Sequence, residues 1–547
     1  MTDVAETILS IEGLSIALPV GGDRSFAVED IDIKINSGEI LCIVGESGSG
    51  KSVTSFATMG LLPKILNPSA GRIMFEGRDL LTLPEKARKE LRGDRMAMIF
   101  QEPMSALNPC YTVGNQIEEV FKKHRRMSAS QRRSQLLRLL EEVKLPDPER
   151  IRSAYPHQLS GGQRQRIMIA MALALDPKLL IADEPTTALD VTTQAQILNL
   201  IKQLKSAHSA GIMFVTHDFG VVAEIADRVV VMQHGRIVEQ GSADEILNRP
   251  QHPYTKVLIA AVPRKSGQAG RSIEDNPVAL LANNVTKTFH TPGNLFTKGR
   301  TVHAVKEASF TVRRGETLGI VGESGSGKTT LVRCLIRLID PDSGEIEING
   351  IDFAGLNRDT LREHRKDIQI VFQDPYGSLN PRRTVGDLII EGPVNFGVPR
   401  AEALQRAREL LKIVRLDPDC MDRYPAQFSG GQRQRICIAR ALAVEPKVLI
   451  ADEAVSALDV SVQKEVLALI NEIRDSFGLT VLFITHDLRV AAQICDNIIV
   501  MKDGEIVERG DVNKVFGAPE HDYTKSLLDA EPGKDWVIPE FEDNTSV

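Results

Sequence analysis

Two eight-residue stretches carry the residue types that hold a polyphosphate. Gly45-Glu46-Ser47-Gly48-Ser49-Gly50-Lys51-Ser52 and Gly322-Glu323-Ser324-Gly325-Ser326-Gly327-Lys328-Thr329 both read Gly, four residues, then Gly-Lys-Ser/Thr, the pattern of a phosphate loop. Glycines let backbone N–H groups turn inward around phosphate oxygens where a Cβ would obstruct them. The loop then opens a helix whose N-terminus favours negative charge. Gly45, Ser47, Gly48 and Gly50, with Gly322, Ser324, Gly325 and Gly327, are therefore expected to line nucleotide sites. Lys51 and Lys328 are expected at the β- and γ-phosphates, and the hydroxyls of Ser52 and Thr329 at Mg²⁺. The alternative, a Gly/Ser-rich turn that binds nothing, does not account for two near-identical copies, each preceded by an apolar run (40–44 and 318–321).

Paired acids follow two further apolar runs: Asp183-Glu184 after 178–182 and Asp452-Glu453 after 447–451. A carboxylate at a strand end beside a phosphate loop holds Mg²⁺, which suits Asp183 and Asp452. The adjacent Glu184 or Glu453 then faces the γ-phosphate and polarises an attacking water. Taken alone, each pair reads equally well as acids at a helix start.

These residues recur in order. The offset between copies is 277 at the two lysines, 272 from Gln101 to Gln373, and 269 at Ser160/Ser429, Asp183/Asp452 and His217/His486. This is a tandem duplication of one domain of more than 200 residues, far longer than a solenoid period. Strands are expected over 9–16 and 305–312, before each loop, and over 212–216 and 480–485. Amphipathic helices are expected over 131–143 and 401–414, and helices over 163–175 and 432–443. Strands alternating with helices imply an α/β domain with a largely parallel sheet. The expected division is a first domain over 1–262, a linker over 263–278, a second domain over 279–531 and an acidic tail over 532–547. The tail holds the only tryptophan, Trp536, and reads as a mobile end, with a docking strand as the alternative.

Composition narrows the partners. The 547-residue chain has a net charge of −7, which makes no electrostatic case for nucleic acid. Six cysteines stand singly at 42, 110, 334, 420, 437 and 495, without metal-ligand spacing, as suits a reducing compartment. The acidic start 1–6 is not expected to be a signal peptide. No apolar run approaches about 18 residues, so no membrane span is expected.

Leu159-Ser160-Gly161-Gly162-Gln163 and Phe428-Ser429-Gly430-Gly431-Gln432 resemble the signature motif of ABC ATPases, and the motif order is similar over nearly the whole chain. Gln101 and Gln373 resemble the Q-loop glutamine; Thr187-Ala188-Leu189-Asp190 and Ser456-Ala457-Leu458-Asp459 resemble the D-loop; His217 and His486 resemble the switch histidine. The resemblance implies tandem P-loop NTPase domains, each with a mostly parallel sheet core, an antiparallel β part and an α-helical subdomain. It implies ATP and Mg²⁺ as cofactors, with Glu184, Glu453, His217, His486, Gln101 and Gln373 catalytic. Ser52, Asp183 and Gln101, and Thr329, Asp452 and Gln373, are implied around the metal. It also implies a head-to-tail sandwich of two ATPs within one chain. Ser160 and Gly162 would complete the site built on Lys328, and Ser429 and Gly431 the site built on Lys51. Neither half looks degenerate. Departures are Phe428 in place of leucine and Ala454 where the first half has Pro185. The adenine-stacking aromatic is expected at Phe289; its counterpart is Leu18, so the first site is expected to stack weakly or through another residue such as Phe26.

The segment after each Q-loop glutamine, 101–109 and 373–381, resembles the peptide importer branch serving oligopeptides, dipeptides, nickel and glutathione. So do His252-Pro253-Tyr254-Thr255-Lys256 and His521-Asp522-Tyr523-Thr524-Lys525. The C-terminal cysteine cluster that many members use for iron–sulfur is not in this sequence. The resemblance implies two membrane-spanning permease subunits as partners and, indirectly, an extracytoplasmic solute-binding protein. It implies a peripheral place on the cytoplasmic face of the inner membrane and no direct contact with cargo. The alternative is a soluble tandem ABC ATPase acting on ribosomes, a class similar in having a long charged helical linker; 263–276 is short and lacks helical period. DNA-repair ABC ATPases carry zinc cysteines and large insertions not seen here. A nucleotide sensor is the weakest alternative, since both acid pairs are intact.

Overall fold

Five-residue runs with no polar alternation must be buried on both faces, and the structure uses them so. The computed structural model describes residues 6–19, 24–102, 106–187, 189–264, 273, 275–291, 300–456 and 458–541. Most of the expected linker, the first five residues, Pro103-Met104-Ser105, the D-loop alanines Ala188 and Ala457, and the last six residues of the tail lie outside them. The chain forms two units. Unit 1 comprises Met1–Leu189, Thr193–Val262 and Pro532–Val547; unit 2 comprises Asp190–Thr192 and Pro263–Glu531.

In unit 1, Ile40–Val44, Leu179–Asp183 and Gly211–Val215 are buried at every position. They form a six-stranded sheet in the order Arg236–Ser242, Arg228–Gln233, Ile40–Val44, Gly211–Val215, Leu179–Asp183, Met96–Ile99. All neighbours are parallel except the Arg228–Gln233/Arg236–Ser242 hairpin. That hairpin turns at His234 and Gly235, whose φ values of 50° and 86° are those a two-residue turn between twisted strands requires. Unit 2 repeats the order as Glu505–Asp511, Asn497–Lys502, Thr317–Val321, Thr480–Ile484, Val448–Asp452, Ile368–Val371. An antiparallel four-stranded sheet accompanies each: Phe26–Asn36, Thr7–Ala17, Pro68–Phe75 and Arg78–Asp79 in unit 1. Its inward side chains, such as Leu9, Ile11 and Ile33, share one core with Leu41, Ile43 and Ile181 of the parallel sheet.

The α-helical part of unit 1 includes Val113–His124, Ala129–Glu142 and Gly161–Leu173. The second begins two residues before the expected start because Ser128 caps it. The Ser128 hydroxyl accepts from Gln131 N–H at 3.2 Å, while the Gln131 side chain accepts from Ser128 N–H at 2.8 Å. Arg400–Ile413 and Gly430–Leu442 are its counterparts in unit 2. Parallel pairing decides where function can lie. Ile40–Val44, Gly211–Val215, Leu179–Asp183 and Met96–Ile99 all end on the same edge, so the residues after each strand share that edge.

Candidate nucleotide site

Each phosphate loop is held in a shape that only glycine reaches. Gly45, Gly48 and Gly50 have φ of 148°, 76° and 105°. A Cβ on Gly45 would stand 2.2 Å from the Met232 carbonyl oxygen, and one on Gly50 would stand 2.8 Å from that of Ala27. In unit 2, Gly322 and Gly327 repeat this against Met501 and Ala304, at 2.3 and 2.2 Å. Lys51 opens the helix Lys51–Met59 and is 5% exposed. Its Nζ donates to the carbonyls of Gly45 and Glu46 at 2.7 and 2.9 Å. Lys328 does the same with Gly322 and Glu323 at 2.7 and 2.8 Å, and burial draws its pKa down against the pull of Glu453. The buried hydroxyls of Ser49 and Ser326 have no hydrogen-bond partner among the described residues. Orphan hydroxyls and a buried ammonium within one loop fit an oxyanion such as a nucleotide phosphate.

The carboxylates stand at the strand ends, as expected. Ser52 Oγ donates to Asp183 Oδ1 at 3.0 Å. Burial, reinforced by the Glu184 charge, pushes Asp183 up to about 6. Asp452 is likewise pushed up to about 6 by burial and by Glu453. A carboxylate so destabilised as an anion calls for a nearby cation, which fits Mg²⁺.

Glu184 and Glu453 adopt the left-handed region, at φ 47° and 50°. Their N–H groups donate to Val215 and Ile484, each at 2.9 Å, which ties each glutamate to the neighbouring strand. Gln101 Nε2 donates to Glu184 Oε2 at 2.9 Å, Thr187 Oγ1 donates to the same oxygen at 3.0 Å, and His217 Nδ1 lies 3.4 Å from Oε1. Burial opposes the Glu184 charge, but His217, Lys51 and Thr187 outweigh it and hold the carboxyl at about 2. In unit 2, Gln373 Nε2 donates to Glu453 Oε2 at 2.7 Å and His486 Nδ1 lies 3.3 Å from it. Burial again opposes both charges, yet the pair holds Glu453 low and His486 above its ordinary value.

Thr-His-Asp fixes each histidine by its neighbours. Thr216 Oγ1 accepts from Asp218 N–H at 3.0 Å, and Asp218 caps the helix Phe219–Ile225. Thr485 and Asp487 repeat this. The signature serines cap helices: Ser160 Oγ accepts from Gln163 N–H at 3.3 Å and Ser429 Oγ from Gln432 N–H at 3.3 Å. Each retains its own O–H as a donor. A Cβ on Gly162 would stand 2.9 Å from Thr193 Cγ2, and one on Gly431 only 2.3 Å from Val462 Cγ1. Phe289 lies 40% exposed on Val278–Thr291 with Lys287 Nζ 5.8 Å from its ring centroid, while Leu18 packs partly against the unit 1 core. The structure thus gathers the loop, acid pair, glutamine and histidine in each unit.

The ABC transporter family profile matches residues 28–187 and 305–456, which include the phosphate loop, glutamine and acid pair of each unit and stop short of His217 and His486. The chain belongs to the ABC transporter family. The profile of the oligopeptide/dipeptide transporter C-terminal region also matches, at 238–292 and 507–539. Relatives include the glutathione import ATP-binding protein GsiA of Escherichia coli O157:H7, 47% identical over 96% of this chain and 90% of its own length. GsiA of Escherichia coli K12 is 46% identical over the same shares. A solved dimeric ATP-binding cassette in a post-hydrolysis state with ADP and Pi matches 43% of this chain and 98% of its own, at 33% identity and a TM-score of 0.38.

Within this ABC ATPase, sequence reasoning missed three groups: the Thr187 hydroxyl on Glu184, the threonines that steady the histidine turns, and the tyrosines. Tyr254 Oη accepts from Glu46 N–H at 3.1 Å, and Tyr523 Oη from Glu323 N–H at 3.0 Å. The signal was the recurrence of the tyrosine at the same 269-residue offset as the acid pairs.

Proposed function

We propose that this chain is the ATP-hydrolysing subunit of an ABC importer for peptides or related small solutes. The observation that carries the reading is the twofold gathering of a buried lysine, a metal-ready aspartate and a glutamate engaged by both Gln and His on one sheet edge. Mg²⁺, when bound, would neutralise phosphate charge, with Ser52 and Asp183 or Thr329 and Asp452 holding it beside Gln101 or Gln373. Lys51 and Lys328 bind the phosphates with the loop glycines, Ser47 and Ser324. Glu184 and Glu453, kept anionic by their neighbours, orient and polarise the attacking water. His217 and His486 position the glutamates. Phe289 stacks on adenine in the second site.

Head-to-tail pairing of the two halves, with Ser160 and Gly162 serving the Lys328 site and Ser429 and Gly431 the Lys51 site, makes ATP bind the closed state better than the open one. Hydrolysis removes that difference and the pair reopens. The domains proposed are 1–262 and 279–531, joined by 263–278 and followed by the tail 532–547. No helix among the described residues is long and apolar enough to cross a membrane, so the solute path would belong to two separate permease subunits fed by a binding protein. Relatives named for glutathione import, and the C-terminal-region match, favour this reading over ribosome action and make glutathione the first cargo to test. Gentle-detergent purification of the tagged chain from its native host tests it. Two multi-spanning proteins in stoichiometric amounts support the importer; ribosomal proteins without them refute it.

A further inference from the structure

The first peptide unit of each phosphate loop is gripped at both ends. In a trans peptide the C=O and N–H point to opposite sides. The C=O of the Gly45–Glu46 peptide accepts from Lys51 Nζ at 2.7 Å, and its N–H donates to Tyr254 Oη at 3.1 Å. In the second copy the Gly322–Glu323 peptide is held by Lys328 at 2.7 Å and by Tyr523 at 3.0 Å. The two tyrosines reach the loop from 208 and 200 residues away.

Neither hydroxyl swings freely. Tyr254 stands in the first turn of the helix Pro253–Ala261, whose start is pinned to the sheet hairpin. Glu239, on Arg236–Ser242, accepts from the N–H groups of Gln251 and His252 at 2.7 and 3.2 Å, and His252 Nδ1 accepts from Tyr254 N–H at 3.2 Å. Unit 2 repeats each bond. Glu508 accepts from Glu520 and His521 at 2.8 and 3.1 Å, and His521 Nδ1 from Tyr523 N–H at 3.0 Å. Tyr523 is 6% exposed and carries Lys502 Nζ 4.9 Å from its ring centroid.

The two grips differ in what they must do next. A lysine that serves a phosphate has to leave its carbonyls, and the peptide it held belongs to glycine, which resists rotation least. Once the lysine turns away, the tyrosine hydroxyl remains at the other end of that peptide. We propose that Tyr254 and Tyr523 are positioning residues for ATP, each clamping the first peptide of its own phosphate loop while the lysine is handed to the nucleotide; this rests on the ATP-binding reading above. It gives the region after each cassette, matched by the oligopeptide/dipeptide C-terminal profile, a direct hold on the nucleotide site.

The test uses the full chain with Y254F or Y523F, each combined with K51A or K328A so that one ATP site is read at a time. Y254F should weaken ATP binding about fivefold at the site built on Lys51, the worth of one hydrogen bond, and leave the Lys328 site unchanged. Amide hydrogen exchange at Glu46 should speed up while exchange elsewhere and the melting temperature stay as in the unsubstituted chain. Y523F should do the converse at Glu323. Unchanged affinity and unchanged Glu46 exchange would overturn the clamp. So would an affinity loss shared by both sites, or one accompanied by faster exchange throughout unit 1, because either marks a packing role. If a variant fails to fold, the unsubstituted chain decides: Glu46 and Glu323 amides exchanging more slowly than those of Gly48 and Gly325 support the clamp, and equal rates overturn it. An unsubstituted chain that binds no ATP refutes the nucleotide reading and, with it, the clamp's purpose; slow Glu46 exchange in such a chain would leave only the hydrogen bond standing.

Discussion

Asp183→Asn should make the nucleotide-free chain more stable and worse at holding Mg²⁺–ATP. Asp183 is 2% exposed and is pushed from an ordinary 3.8 up to about 6, chiefly by burial and then by the Glu184 charge, against the Ser52 hydrogen bond and Lys51. The sign follows from linkage. An acid whose pKa is raised on folding holds its proton more tightly when folded, so stability falls as pH rises from about 3.8 through about 6 and stays reduced above. A shift of roughly two pKa units at about 1.4 kcal/mol each costs the folded state about 3 kcal/mol at pH 8 and about half that at pH 5. Asparagine carries no charge, and its carbonyl still accepts from Ser52. For a unit of this size the relief corresponds to a rise of about 5–10 °C in melting temperature at pH 8. Scanning calorimetry in EDTA at pH 8 and pH 5 measures it. The gain should shrink by about half at pH 5, and the upward shift that Mg²⁺–ATP gives the unsubstituted chain should be lost in the variant. A variant that melts at or below the unsubstituted chain at pH 8, or gains equally at both pH values, refutes the argument that buried charge strains this site.

Four further outcomes follow from particular residues. Gly45→Ala meets the Met232 carbonyl at 2.2 Å as well as the left-handed penalty and should cost more than about 2 kcal/mol, whereas Gly48→Ala has open space and should cost only about 1 kcal/mol in denaturant melts; equal costs would contradict the steric reading. Phe289→Ala should weaken ATP at the site built on Lys328 by five- to a hundredfold, the span of about 1–3 kcal/mol for aromatic stacking on a base. Because Leu18 stands opposite in the repeat, the unsubstituted Lys51 site should already be the weaker, and equal affinities in K51A and K328A chains would remove that claim. Ser160→Arg should damage mainly the site built on Lys328; nucleotide trapping lost at the Lys51 site instead would contradict head-to-tail pairing.

The chemistry was legible where it sits next to its own strand in the chain. Lys51, Asp183, Gln101 and His217 each follow an apolar run, and parallel pairing of those runs carries all four to one edge. Helix limits were less legible, because Ser128 and Ser160 set them through side-chain caps and start the helices at Ala129 and Gly161, two residues before the expected starts. The Tyr254 clamp was hidden for a different reason. A bond across 208 residues leaves no local spacing, and the start of the helix that carries Tyr254 is pinned by Glu239 of the hairpin Arg228–Gln233/Arg236–Ser242. The tail shows the same limit. Trp536 Nε1 donates to Asn248 Oδ1 at 3.1 Å, grouping 532–541 with unit 1, a placement that follows no periodic pattern.

The central claim is that two engaged glutamates hydrolyse ATP in this chain, and ATP turnover by the unsubstituted protein and by E184Q with E453Q, with ATP binding measured on the same samples, tests it most directly. Unimpaired binding with turnover lost by a hundredfold or more, and a trapped closed form, is the predicted result. Undiminished turnover in the double variant would contradict it and send the search for the base elsewhere in the site.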